Sequence, residues 1–254
     1  MVQKISGLVI TLNEEKNISE CIKSLFTVCD DIVIVDSKSS DNTVAIAKSM
    51  GATVIEQEFL GDGPQRSIGL KYCKHDWVLN LDADERLDED FIDQIYNIDF
   101  VYDAYEFKRK NILHGNWIKV AGWYPDYVRR LFNKRKTNFS PVKTHTKIET
   151  TNIKKINAHI LHYSFEDYQD MINIMNKYSS WQSETLFEND KKITFLIPFG
   201  HGFLSFIKHY FLKKGFLAGI DGFNISLLNA LGSYFKYMKL YERYKYNNSE
   251  HNKK

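Results

Sequence analysis

Short aliphatic runs alternate with helix-spaced apolar positions through the first hundred residues. LVITLN (8–13) predicts a strand, and the apolar positions Ile18, Cys21, Ile22, Leu25 and Phe26 that follow share one face of a helix. DIVIVDS (31–37) predicts a second strand. SDNTVAIAKSMG opens on a capping Ser or Asp and closes on Gly51, a helix with both its start and its stop written out. ATVIEQEF predicts a third strand, residues 64–73 a helix, and DWVLNLD a fourth strand. Alternation at this spacing implies a mainly parallel sheet with helices on both faces.

From position 102 the pattern changes. YDAYEFKRK, YVRRLFN, HTKIET and AHILHYSF are β-rich and separated by Gly, Asn, Lys and Pro, which predicts further, partly antiparallel strands joined by long loops. Beyond Glu166 helical spacing takes over, first in Tyr168, Met171, Ile172, Met175 and Tyr178, then in Leu228, Leu231, Phe235, Met238 and Tyr241. The expected organisation is an α/β domain over residues 1–164 and a helical region over 165–254, ending in a frayed polar tail, NNSEHNKK.

A net charge of +2 conceals an asymmetry. Of 34 Lys and Arg, 11 lie from Lys191 onward, against 3 of the 32 Asp and Glu, so this segment carries +8 and the remainder −6. A basic tail suits an anionic partner, and the plainer use is a solvated helical face. The tail holds no recognisable nucleic-acid-binding motif and the acidic part would repel phosphates, so no nucleic-acid partner is expected. FLIPFGHGFLSFIKHYFLKKGFLAGIDGF mixes Phe and Leu with Lys208, Lys213 and Lys214. That mixture suits a helix lying in a membrane interface, with packing against the α/β domain or a second subunit as the competing use. No apolar run approaches the roughly 20 residues of a membrane span. Without a signal-peptide pattern at the start, a cytoplasmic protein is expected, peripheral at the inner face of the membrane. Cys21, Cys29 and Cys73 form no metal or disulfide pattern and read as buried thiols.

Ligands of open parallel sheets collect at the carboxyl ends of the strands. Three of these ends carry polar side chains suited to a nucleotide: Thr11, Asn13 and Glu14; Asp36 and Ser37; Asp82 and Asp84. The fourth strand runs straight into DADER, a knot of like charges that Mg²⁺ or Mn²⁺ shared with phosphates would offset. The bland alternative is a helix cap near Asp88. Glycine fingerprints for dinucleotides and the P-loop are absent.

TLNEE (11–15), VDSKSSDNT (35–43), GDGPQRSIGL (61–70), WVLNLDADE (77–85), GWYPDYVRRLF (122–132) and KHYFLKKGFLAGIDGF (208–223) together resemble family 2 glycosyltransferases of the GT-A fold. More narrowly, the chain is similar to lipopolysaccharide-core β-1,4-glucosyltransferases. The resemblance implies a Rossmann-like sheet flanked by helices, a helical C-terminal region and an inverting, metal-dependent enzyme. It implies that Thr11, Asn13, Glu14 and Asp36 hold the uracil and ribose of a UDP-hexose, with Arg66 near the base or phosphates. Asp84 would bind the metal, and Asp82 the ribose or that same metal. Asp126 would be the catalytic base, Trp123 and Tyr124 would stack on acceptor sugars, and Arg129 or Arg130 would meet an anionic group of a lipid-linked core saccharide. Related sequences carry His-Glu where this chain has His145-Thr146, a departure that bears on the acceptor. For His145, His159 and His162 structural hydrogen bonding is the expected use. Transfer to a polyprenyl phosphate or another cell-surface glycan, and non-catalytic nucleotide-sugar binding, are the competing readings.

Overall fold

Val9, Ile34 and Leu79, one from each of three neighbouring strands, are fully buried on one side of a sheet, and Leu8, Val35 and Val78 are fully buried on the other. Two covered faces explain why these strands read as near-continuous apolar runs. A computed structural model of the chain describes residues 3–141 and 146–251, with side chains to Lys245. The chain forms two units, one of Met1–Lys110 and Pro125–Tyr163, the other of Asn111–Tyr124 and Ser164–Lys254.

In the first unit β1 (Ile5–Thr11), β2 (Asp31–Asp36), β3 (Thr53–Glu56) and β4 (Trp77–Asp82) form the parallel half of the sheet, in the order β3-β2-β1-β4. The helices between them are α1 (Ile18–Phe26), α2 (Thr43–Ser49) and α3 (Asp62–Leu70). α1 buries Ile18, Cys21, Ile22 and Leu25 as its spacing requires, while Phe26, at the last residue, is exposed. α3 begins two residues ahead of Pro64, which leaves the proline in the first turn, where a missing N–H costs nothing. Gly69 lets α3 approach the sheet closely, since a Cβ there would lie 2.3 Å from a Leu8 methyl.

The other half of the sheet is antiparallel. β5 (Glu85–Leu87) follows β4 after a two-residue turn, and α4 (Glu89–Ile95) is capped by Asp88, whose carboxylate accepts from the Glu89 N–H. β6 (Ala104–Leu113) pairs with β8 (Tyr127–Asn133), β8 with β4, and β9 (Ile153–His162) with β5. HTKIET, expected as a strand, contributes one bridge, Ile148 to Phe139. Its polar groups turn back locally instead, with Thr146 Oγ1 donating to the Ser140 carbonyl at 2.9 Å and the Ser140 N–H to the Lys147 carbonyl at 2.8 Å. His145 lies outside the described residues.

The second unit contains β7 (Asn116–Trp117), which pairs with the end of β6, and the helices α5 (Tyr168–Glu188), α6 (Ile197–Ile207) and α7 (Gly219–His251). A π turn (Lys208–Leu212) and a 3₁₀ turn (Gly215–Ala218) join α6 to α7. Its core gathers Leu113, Ile118, Ala121, Met171 and Ile225. The tail expected to fray continues α7 as far as His251. Among the described residues no helix is long and apolar enough to cross a membrane.

Candidate active site

Strand register brings the polar strand ends together. Thr11 is opposite Asp36 across β1 and β2, and Ile10 is opposite Asp82 across β1 and β4. Residues 11, 36 and 82 therefore lie at one edge of the parallel half, and chain order switches there between β1 and β4, the place where such sheets bind ligands. Thr11 is buried and its hydroxyl finds no hydrogen-bond partner among the described residues. Asn13 takes a left-handed backbone (φ 56°), from which its N–H reaches Ser39 Oγ at 2.8 Å and its Oδ1 accepts from the Ser40 N–H at 2.8 Å. The fully buried Asp36 accepts from the N–H of Ser39 at 2.8 Å and from its hydroxyl at 2.5 Å. The Glu14 N–H donates to Thr43 Oγ1 at 2.8 Å, and its carboxylate accepts from Asn17 Nδ2 at 2.9 Å. The loops after β1 and β2 are thus laced into one wall.

The carboxylates after β4 are offset first by arginine. Arg66, on α3, donates to Asn80 Oδ1 at 2.7 Å and to Asp82. Arg130, on β8, donates to both Asp82 Oδ2 and the fully buried Glu85, each at 2.5 Å. Arg109, on β6, lies 3.5 Å from Glu85 and grips Asp126 through Nε at 2.8 Å and Nη2 at 2.7 Å. The result is a chain of alternating charge, Arg66–Asp82–Arg130–Glu85–Arg109–Asp126. Burial pushes the Asp82 carboxyl up, and the guanidinium groups of Arg130 and Arg66 more than reverse this, holding it well below the usual carboxylate range. Arg86 completes the balance, lying 4.2 Å from the Tyr163 ring centroid with a hydrogen bond to Asn17 Oδ1 at 3.3 Å.

Asp84 differs from its neighbours. Its carboxylate lies 3.4 Å from His162 Nε2, and its main-chain carbonyl accepts from the Tyr163 N–H at 3.0 Å. Mg²⁺ and Mn²⁺ are hard cations that bind through one or two carboxylates while sharing phosphate oxygens, and Asp84 suits that use. Asp82, expected as a second ligand, has both carboxylate oxygens engaged by guanidinium groups. A second cluster, Asp88, Asp90 and His159, has ligand atoms within 4.8 Å of one another. Lys110 sits on Asp88 and His159 Nδ1 lies 2.5 Å from Asp90, so both carboxylates already have partners.

The expected acceptor residues fare differently. Arg129 donates to the carbonyls of Ile148 and Thr150 and to Glu106, so it fastens the loop after β8. Arg130 is buried on Asp82 and Glu85. Both guanidinium groups are engaged within the protein. In the second unit Trp123 packs on that unit's core and stacks on Phe165, with ring centroids 5.7 Å apart. Tyr124 makes an edge contact with Trp117 at 5.1 Å, and the Lys119 ammonium lies 4.1 Å from the Trp117 centroid. The sequence reading missed Trp117, Arg109 and Asn80. Arg109's charge inside the strand pattern EFKRKN was the available signal, since a buried strand tolerates arginine only with a partner. All three thiols are buried, and that of Cys21 is pushed far up by burial and by Glu85, Asp84 and Asp82.

The ion-pair network carries a stability prediction. Arg130→Met strips Asp82 and Glu85 of a shared partner, and breaking a buried pair from one side costs about 3–5 kcal/mol. Denaturant unfolding should show a loss of that size, with partial recovery in Arg130→Met/Glu85→Gln. An unchanged midpoint would mean that the network contributes nothing to the fold.

The unit built from this parallel half-sheet, its nucleotide-suited strand ends and the antiparallel strands that return arginines to the acidic turn is the part of the chain that matches a glycosyltransferase family. The chain belongs to glycosyl transferase family 2, whose model matches residues 6–150. It is 33% identical over 258 residues to an uncharacterized glycosyltransferase of Rickettsia felis, covering 95% of this chain and 90% of that one. It is 27% identical over 253 residues to the lipopolysaccharide core biosynthesis glycosyltransferase LpsC of Rhizobium meliloti, covering 94% and 93%. Among solved structures it is similar to S. aureus TarS 1-349, with a TM-score of 0.49 at 17% identity over 96% of this chain and 91% of that one.

Proposed function

We propose that this glycosyltransferase transfers a hexose, with inversion, from a UDP-sugar to the core saccharide of a lipopolysaccharide or lipooligosaccharide. The observation that carries the donor half is the alignment of Thr11, Asp36 and the 82–84 turn along one sheet edge, with Asp84 left out of the arginine network. Thr11, Asn13, Glu14 and Asp36 hold the nucleoside. Arg66, fixed by Asn80 and Asp82, completes the donor wall near the phosphates. A divalent metal on Asp84 would offset charge on the departing diphosphate. Asp126, oriented by Arg109, takes the proton of the acceptor hydroxyl as that oxygen bonds to the anomeric carbon and the carbon–phosphate-oxygen bond breaks. The acceptor half rests on the similarity to LpsC along nearly the whole chain. A lipid-linked acceptor places the work at the cytoplasmic membrane surface.

A thermal-shift panel of UDP-, GDP- and CMP-sugars with Mn²⁺ or Mg²⁺ tests the donor. A UDP-hexose at about a hundred times its Kd should add about 2.7 kcal/mol of stability, and the metal should be required. Mass spectrometry of deacylated core oligosaccharide after incubation should show one added hexose. Stabilisation by a GDP- or CMP-sugar alone would overturn the donor, and transfer only to polyprenyl phosphate would overturn the acceptor.

A further inference from the structure

The second unit displays a ridge of large apolar side chains. Leu196, at the N-cap of α6, and Phe199 and Phe203 within it recur at i, i+3 and i+7, with Leu196 73% and Phe203 67% exposed. On the opposite side of α6, Pro198 and Gly202 are buried, and a Cβ at Gly202 would stand 3.1 Å from Tyr234 Cβ and 3.4 Å from the Ala230 carbonyl. α6 therefore packs on α7 almost backbone to backbone, with Phe199 edge-on to Tyr234 at 5.3 Å and Phe203 turned outward. The ridge continues around the connecting turns through Leu212, 75% exposed, and Leu217, and enters α7 at Ile220, 70% exposed. A Cβ at Gly222 would lie 1.8 Å from the Gly215 carbonyl, so the bend closes only with glycine there. A built hairpin, not a loose loop, presents the ridge, and apolar patches of this kind mark interaction surfaces.

Charge identifies the occupant. Between positions 191 and 220 the chain has five lysines, at 191, 192, 208, 213 and 214, and no Asp or Glu. Lys208 and Lys214 are exposed beside the apolar side chains, whereas Lys213 is folded against Gly122. A second copy of this chain docked on the ridge would set lysine against lysine. An anionic lipid surface satisfies both features at once, with acyl chains under Leu and Phe and headgroup phosphates at the ammonium groups.

We propose that α6, the two turns after it and the start of α7 form a wedge that inserts in the plane of one leaflet of an anionic membrane. The inference deepens the function proposed above, which supplies the reason for being at a membrane, while the ridge and its lysines stand independently of donor and acceptor.

Flotation of the full chain with vesicles of phosphatidylcholine, alone or mixed with phosphatidylglycerol, tests it. Wild type should float with both, more strongly with the anionic mixture, and high salt should remove only that excess. Leu212→Asp/Leu217→Asp should weaken binding to both by about tenfold or more. Lys208→Glu/Lys214→Glu should abolish the preference for phosphatidylglycerol. Each variant should keep the wild-type melting temperature and its shift with UDP-hexose, which shows that the fold and donor unit are intact. A normal UDP-hexose shift without flotation overturns the wedge alone, and flotation without any nucleotide-sugar response overturns the donor reading alone. A concentration-dependent dimer that Leu212→Asp/Leu217→Asp dissolves, with no vesicle binding, would assign the ridge to a subunit contact instead.

Discussion

Asp84→Ala should lower transfer by about 10³-fold or more while the protein stays folded and melts near wild type. The rate follows from position: Asp84 is the carboxylate of the 82–85 turn that no arginine occupies, and a metal that stabilises leaving-group charge supplies several kcal/mol to the transition state. Stability is spared because the side chain contacts His162 at 3.4 Å, and the Tyr163 N–H bonds the Asp84 main chain, which alanine retains. Asp82→Ala is the contrasting control. It strips Arg66 and Arg130 of a shared partner, so it should lose both activity and several kcal/mol of stability, on the order of a broken buried ion pair. Initial rates after chelation and defined Mn²⁺ addition, paired with melting curves, separate the two. Wild-type turnover by Asp84→Ala under metal-free conditions would remove the metal from this site.

Asp126→Asn should lower kcat by roughly 10²–10⁴-fold and leave donor affinity unchanged. Asparagine keeps an oxygen for Arg109 and nearly the same volume, so the substituted side chain remains where Arg109 holds it. What it loses is the ability to take a proton. Calorimetric UDP-hexose affinity measured beside kcat gives the answer: a parallel collapse of both would mean that Asp126 shapes the donor pocket, and unchanged turnover would mean that the base lies elsewhere. Glu85 is no substitute, because it is fully buried and already bound to Arg130.

The parallel half of the fold was legible because its information is local. Apolar runs of strand length, the helix stripe of α1 and the cap at Asp88 each depend on neighbours a few residues away. Thr11, Asp36, Asp82 and Asp84 could be placed at one edge because each closes or directly follows such a strand. The charge network was not legible. Arg130 reaches Asp82 across 48 residues and Arg109 reaches Glu85 across 24, through antiparallel pairings that no sequence period announces. The like charges of DADER therefore read as a metal site, whereas arginine balances Asp82 and Glu85 and leaves Asp84 outside the network. Arg129 and Arg130, adjacent in sequence, read as one basic pair facing an acceptor. Alternation along β8 sends one to Glu106 and the loop carbonyls and the other to the acidic turn.

The chain of alternating charge also fixes an order of assembly. Glu85 leaves the ribosome well before Arg109 and Arg130, so a nascent chain ending near residue 100 has Arg66 for Asp82 but holds in Glu85 a carboxylate that cannot enter an interior without a counter-ion. Docking of β8 against β4 brings that counter-ion, and the turn can bury only at that step. A fragment cut before residue 127 should therefore remain open at this edge even though all four parallel strands are present, and the docking of β8 becomes the late, long-range event in maturation of this half of the molecule.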